Sequence, residues 1–187
     1  MSVVLAYIKD SVVYFGCDNR TNYGNDFESI SFKEGYKLRH HKDYVMGFVG
    51  KPPLDIKAFA LVKKFKTKEL TKAYLIRNFY KEIMKINNEL EVSDLLPRGS
   101  ANLSSSFMIG QKDKLFLIDS NGVTRINNYA AMGSGYLFVL PYLYNMNEEN
   151  INKTMLEAMK TCASKHSKVG GPYHFINTKD LTLQTEE

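Results

Sequence analysis

Apolar residues along this chain fall into short, nearly unbroken runs, and the runs come in blocks. Residues 3–8 (VVLAYI) and 12–16 (VVYFG) are rich in β-branched and aromatic side chains. Only Lys9-Asp10-Ser11 parts them, which predicts a β-hairpin. Neither run alternates cleanly between apolar and polar, the pattern of strands covered on both faces. Residues 19–35 are polar, contain Gly24 and Gly35, and predict a long loop or a small ribbon. Tyr36–His41 and Tyr44–Val49 predict a second hairpin around Lys42-Asp43, ended by Gly50-Lys51-Pro52-Pro53.

The period then changes. Ile56, Phe59, Ala60 and Lys63 stand at i, i+3, i+4 and i+7, with Asp55 in the first turn, and predict a helix buried along that stripe. Leu75, Phe79 and Ile83 repeat at four, as do Ile76 and Tyr80, and predict a second helix. Residues 90–105, with Pro97 and Gly99, predict an exposed loop. Strands resume at Phe107–Ile109, Leu115–Asp119, Val123–Ile126 and Tyr129–Met132, with Asn121-Gly122 as a hairpin signal. Gly133-Ser134-Gly135 opens a third helix that contains Pro141. A fourth runs from about Asn150 to residue 168, with Ile151, Met155, Met159 and Cys162 facing inward. Gly170-Gly171-Pro172 ends it, and Tyr173–Asn177 is a last strand.

Helices therefore arrive in pairs between blocks of strands, which argues against a doubly wound parallel sheet. The expected class is α+β: two mostly antiparallel sheets stacked face to face, each covered outside by a helix pair. This four-layer αββα sandwich is expected to be a single domain over residues 1–187.

Composition narrows the function without naming it. With 25 Lys and Arg against 20 Asp and Glu, the net charge is +5. The basic residues are dispersed except at Lys63, Lys64, Lys66 and Lys68, which fit a solvated helix end. Neither a basic stripe nor a nucleic-acid module is present. Cys17 and Cys162 lie far apart and form neither a disulfide framework nor a zinc signature. His40 and His41 occupy opposite faces of one strand, and Cys162 with His166 makes two ligands without a third, so no metal site is expected. Signal-peptide and membrane-spanning patterns are missing, which points to the cytoplasm.

The chemistry lies at the start of the chain. Loss of Met1 would leave Ser2 as a hydroxyl nucleophile carrying its own base, the free α-amine, which titrates near pH ~8 when unperturbed. A hydroxyl paired with a terminal amine is an activated nucleophile. A nearby cation would lower the amine's pKa, and an aspartate would hold that cation. Asp18 ends the second strand, opposite the start of the first. Lys37 starts the second hairpin, and Gly50 ends it, where a backbone N–H could meet an oxyanion.

Four stretches in this order carry a resemblance. They are Ser2 to Asp18-Asn19-Arg20, Lys37-Leu38 to Phe48-Val49-Gly50, LFLIDSNGVTRINNYAAMGSG (115–135) and GGPYHFINTKDL (170–181). Over nearly its whole length the chain resembles the proteasome β-subunit family of N-terminal nucleophile hydrolases, which includes a bacterial peptidase that works with an ATP-dependent unfoldase. The resemblance implies Ser2 as nucleophile where threonine is usual, and Asp18 and Lys37 as the charged pair tuning the amine. It implies Gly50 N–H as oxyanion donor, Ser134 in the polar network of the amine, and Phe48 and Val49 lining the substrate pocket. Ser134 as a cap of the third helix is the competing reading of that residue. The resemblance further implies peptide or unfolded-protein substrates, a ring-shaped homo-oligomer, a possible unfoldase partner, and no cofactor.

Three features depart from the family pattern. His166 and Val169 replace an aspartate and a serine, removing two polar partners of the amine. The loop before Lys37 is long, so Lys33 is a rival for the lysine role. If Met1 is retained, the mechanism fails. The alternatives are an inactive assembly or scaffold subunit and, more weakly, an amidohydrolase acting on small amides.

Overall fold

The computed structural model describes residues 2–22, 29–31, 37–92, 103–167 and 169–187. In chain order the elements are β1 (Val4–Lys9), β2 (Val12–Asp18), β3 (Arg20–Asn22), β4 (Ser29–Ser31), β5 (Leu38–His41) and β6 (Tyr44–Val49). Helix α1 (Pro52–Val62) follows, then α2 (Lys72–Leu75), a π-helical turn (Ile76–Tyr80) and α3 (Lys81–Val92). Next come β7 (Ser106–Gln111), β8 (Lys114–Asp119), β9 (Gly122–Ile126) and β10 (Tyr129–Met132). Helices α4 (Tyr136–Tyr144) and α5 (Ile151–Lys165) lead to β11 (Tyr173–Asn177) and β12 (Gln184–Glu186).

The strands form two five-stranded antiparallel sheets, ordered β10-β1-β2-β11-β12 and β5-β6-β7-β8-β9, plus the two-stranded ribbon β3-β4. Three apolar clusters occupy the three gaps of a four-layer sandwich. Val4, Ala6, Val13, Phe15, Leu38, Val45, Met108 and Leu115 fill the space between the sheets. Met46, Phe48, Phe107 and Phe116 pack under α1 to α3. Leu5, Phe175, Val139, Met155 and Met159 pack under α4 and α5. Each central strand thus feeds two cores, which explains its unbroken apolar run. The sheets meet closely at Gly110, where a Cβ would lie 2.8 Å from the Phe15 ring. This is the expected α+β sandwich.

Leu75, Phe79 and Ile83 are all fully buried, as their spacing predicts. In a straight α-helix each four-residue step overshoots a full turn by about 40°. The π turn between Ile76 and Tyr80 winds more widely and removes that drift, so the three side chains reach one core.

Elsewhere the structure corrects the sequence reading. The buried stripe of α1 is Leu54, Ala58 and Val62, not Ile56, Phe59, Ala60 and Lys63; Ile56 is 58% exposed. Pro52 and Pro53 begin the helix at its first two positions, where a missing N–H costs nothing, and so set its phase. The segment 90–105 is not wholly an exposed loop: α3 runs through Val92, and Leu103 and Ser105 are buried. Residues 93–102 lie outside the described residues. The β3-β4 ribbon matches the small ribbon expected within 19–35, whereas β12 adds an edge strand that no apolar run announced.

Candidate active site

The start of β1 and the end of β2 lie side by side, so residues 2 and 3 face Asp18. The Asp18 N–H donates to the Val3 carbonyl at 3.3 Å. In return the Val3 N–H donates to Asp18 Oδ1 at 2.8 Å. Lys37 approaches from the other sheet, pinned by its carbonyl, which accepts from the Phe48 N–H at 2.9 Å. Its Nζ donates to Asp18 Oδ1 at 2.5 Å and to the Arg20 carbonyl at 2.7 Å. The Gly170 N–H, just past α5, donates to Asp18 Oδ2 at 3.4 Å. One carboxylate thereby ties together β1, β2, the β5 entry and the α5–β11 connection.

Asp18 has no solvent exposure and Lys37 only 5%. Burial pushes the Asp18 carboxyl up from the usual carboxylate range, while the Lys37 ammonium and the Val3 and Gly170 N–H groups pull it back. Cys17, next to Asp18, is fully buried; desolvation holds its thiol above the ordinary range, so it is no nucleophile.

Ser2 is held by its backbone against the turn before α4. Its carbonyl accepts from the Gly135 N–H at 3.5 Å. Gly133 has φ +95°, and a Cβ there would come within 2.0 Å of the Ser2 carbonyl oxygen, so that turn accepts only glycine. Ser134 lies between the two glycines and is exposed. It does not cap α4, whose N-cap is Gly135. Gly50 leaves β6 with φ +149°, and Ser105 fills the place of its missing side chain. The Ser105 hydroxyl accepts from the Lys51 N–H at 3.2 Å. Val49 reaches toward Gly133, so the end of β6 borders the Ser2 region.

The structure therefore brings Ser2, Asp18, Lys37, Val49 and the Gly133–Gly135 turn to one end of the sandwich, with Gly50 beside Val49. It does not bring Phe48 there. Phe48 is 6% exposed and packs tilted against Phe107, ring centroids 5.4 Å apart, beneath the helices of the opposite face. Adjacent strand residues point to opposite faces, so Phe48 and Val49 cannot line one pocket. Met1 and Lys33 lie outside the described residues.

Val169 takes apolar surroundings, and His166 packs beside Phe138. The His166 ring meets Phe138 edge-on at 6.2 Å. Val169 is buried against the Gly135 turn together with Cys162 and Val3. Among the described residues no group of three or more His, Cys, Asp or Glu is placed to hold a metal. No helix among the described residues is long and apolar enough to cross a membrane. The sequence reading did not single out Arg20 as a scaffold. Its guanidinium donates to the Ser167 carbonyl at 2.6 Å and packs on Gly170, bracing the turn that reaches Asp18.

No family model and no curated protein matches the sequence. Solved structures do match the fold. The Thiobacillus denitrificans protein BPH, also solved in complex with epoxomicin, aligns with TM-score 0.74 at 16% identity, over 96% of this chain and 98% of that one. Anbu from Pseudomonas aeruginosa, solved as a helical assembly, aligns with TM-score 0.71 at 16% identity, over 98% and 85%. HslV from Trypanosoma brucei aligns with TM-score 0.64 at 18% identity, over 94% and 98%. The chain has a proteasome β-subunit-like fold.

Proposed function

We propose that the chain is an N-terminal nucleophile peptidase whose nucleophile is Ser2, freed by loss of Met1. The observation that carries this reading is the buried Asp18–Lys37 pair, which closes at 2.5 Å and shares its carboxylate with the N–H of the residue after Ser2. A cation fixed there disfavours a protonated amine nearby and leaves the amine free to act as base. The Ser2 hydroxyl attacks the scissile carbonyl carbon and the α-amine takes its proton. The tetrahedral oxyanion meets the Gly50 N–H. The intermediate collapses to an ester on Ser2, and the leaving amine departs with the proton held by the α-amine. Water then adds to the ester, the amine again relaying a proton, and the acid product leaves with Ser2 restored. Val49 borders the side chain before the scissile bond and favours an apolar one.

The fold supports the wider expectation of a homo-oligomer, ring-shaped with sites facing an inner chamber, working on unfolded chains in the cytoplasm with an ATP-dependent unfoldase. One observation favours the second reading, an inactive assembly subunit: Val169 offers only apolar atoms beside the Gly135 turn, where a polar partner of the amine is expected.

The deciding experiment is an intact mass after incubation with a peptide epoxyketone, a reagent that traps a hydroxyl and an adjacent amine together. The peptidase reading expects a chain lacking Met1 with one adduct, absent in Ser2→Ala. A chain that retains Met1 and takes no adduct refutes it in favour of the scaffold.

A further inference from the structure

A histidine outside the proposed machinery stands beside its charged pair. His174, on β11, is 1% exposed and pairs across the sheet with Cys17, the residue before Asp18. Its neighbours Tyr173 and Phe175 enter the core under α4 and α5, whereas Cys17 and Ile176 enter the core between the sheets. Strand alternation therefore sends His174 between the sheets, on the side where β11 meets β5 just after Lys37. The ring is clamped from the far side: Nδ1 lies 3.0 Å from the Thr185 hydroxyl on β12. Nε2 is buried and has no hydrogen-bond partner among the described residues.

We infer that His174 is a positioning residue for the Asp18–Lys37 pair, and that the pair keeps its geometry only while His174 is neutral. The catalytic consequence rests on the proposed peptidase; the coupling of the two groups does not. A neutral ring needs one partner for one N–H, and Thr185 supplies it. A second proton would create a cation whose other N–H has no acceptor, in a dry space already holding the Lys37 ammonium. The charged and titratable groups around it are Cys17 and Asp18 from β2, Lys37 ahead of β5, and Glu186, which stands opposite Tyr173 on β12. His40, farther along β5, is exposed. Burial lowers the His174 pKa below its ordinary 6.5; Lys37 lowers it further, and Asp18 opposes. The folded chain thus resists a proton that the unfolded chain accepts. Stability is full above about pH 6.5 and falls as pH drops toward the folded value.

The test follows the His174 ring by proton–carbon NMR in the full chain between pH 8 and pH 4.5, in wild type and in Lys37→Met. The expected wild-type midpoint lies below 6.5. Removing Lys37 should raise it, since the Lys37 charge lowers it by more than Asp18 raises it. If Lys37→Met does not fold, Lys37→Arg relocates the charge and must also move the midpoint. An ordinary midpoint, or one that ignores the substitution, overturns the inference. In parallel, the acid limb of epoxyketone adduct formation combines protonation of the α-amine base with that of His174, so His174→Gln, which takes up no proton, should move the lower part of that limb to lower pH. A limb that stays in place also overturns it. A wild-type chain that never forms the adduct sinks the peptidase proposal, while the NMR titration still decides the coupling.

Discussion

Lys37→Met is the most informative single change. The side chain it removes is 5% exposed, and its ammonium lies 2.5 Å from a carboxylate with no solvent exposure. Methionine nearly matches the stem, so little packing is lost. What remains is Asp18 with two backbone donors, at 2.8 Å and 3.4 Å, and no countercharge among its hydrogen-bond partners. Removing one partner of a buried pair costs about 3–5 kcal/mol. For a chain of this length, each kcal/mol moves the melting midpoint by about 2–4 °C, so a drop of roughly 6–20 °C is expected. The sign of the pH dependence follows from Asp18. Burial already raises its pKa, and loss of Lys37 raises it further. The folded variant then holds a proton that the unfolded chain has released, so its deficit is full above the folded pKa and shrinks as pH falls toward the unfolded carboxylate range. Thermal unfolding followed by circular dichroism from pH 5 to pH 8, on Lys37→Met, Asp18→Asn and the double variant, gives all three terms. The double variant should recover a large part of the loss, because neither charge is left alone. A Lys37→Met loss below about 1 kcal/mol, with no recovery in the double variant, would refute the view that this pair organises the site.

Other substitutions separate the remaining claims. Gly50→Ala sets a Cβ 2.0 Å from the Ser105 hydroxyl at φ +149°; a loss of about 1–3 kcal/mol is expected from the backbone alone, and adduct formation should stop. Ser105→Gly in that background should restore part of the midpoint. Phe48→Ala should cost about 3–5 kcal/mol and leave the cleavage preference unchanged. Val49→Ala should cost about 1 kcal/mol and alter the preferred side chain before the cut, as read by a peptide library. Leu54→Ala should cost about 2–5 kcal/mol while Ile56→Ala stays within about 0.5 kcal/mol in denaturant titration, since only Leu54 faces the core.

Much of the fold was legible because its strands are buried on both sides and its helices come in pairs. Those features survive in a linear pattern, and the layer order follows from them. Helix phase is less secure. In α1 two overlapping stripes, Leu54-Ala58-Val62 and Ile56-Phe59-Ala60, both have helical spacing, and the choice between them depends on the angle at which Pro52-Pro53 launch the helix from β6. In the second helix the strict four-residue repeat was visible, but the π turn that makes it work was not. Three residues at period four fit either a drifting α-helix or a corrected one. Strand β12 was hidden for the opposite reason: its three residues are all exposed, so no apolar run marks it.

The site divides along a different line. Asp18 was recoverable because a short hairpin forces its last residue back beside its first, and Lys37 because it begins the hairpin that ends at Gly50. Both arguments use proximity along the chain. Phe48 lies outside the site because strand alternation sends adjacent residues 48 and 49 to opposite faces of β6. His174 lay inside a stretch already singled out, yet nothing local distinguishes it from Tyr173. Its position matters only through three pairings: β11 against β2, which sets it beside the strand position before Asp18; β11 against β12, which clamps its ring with Thr185; and the stacking of the sheets, which brings β11 against β5, the strand that follows Lys37. A one-residue slip of β11 against β2 would turn the ring into the other core, and one of β12 against β11 would turn Thr185 away from it. Control of the candidate site from β11 and β12 is therefore a property of strand register, and substitutions that shift register should disturb it before they disturb the core.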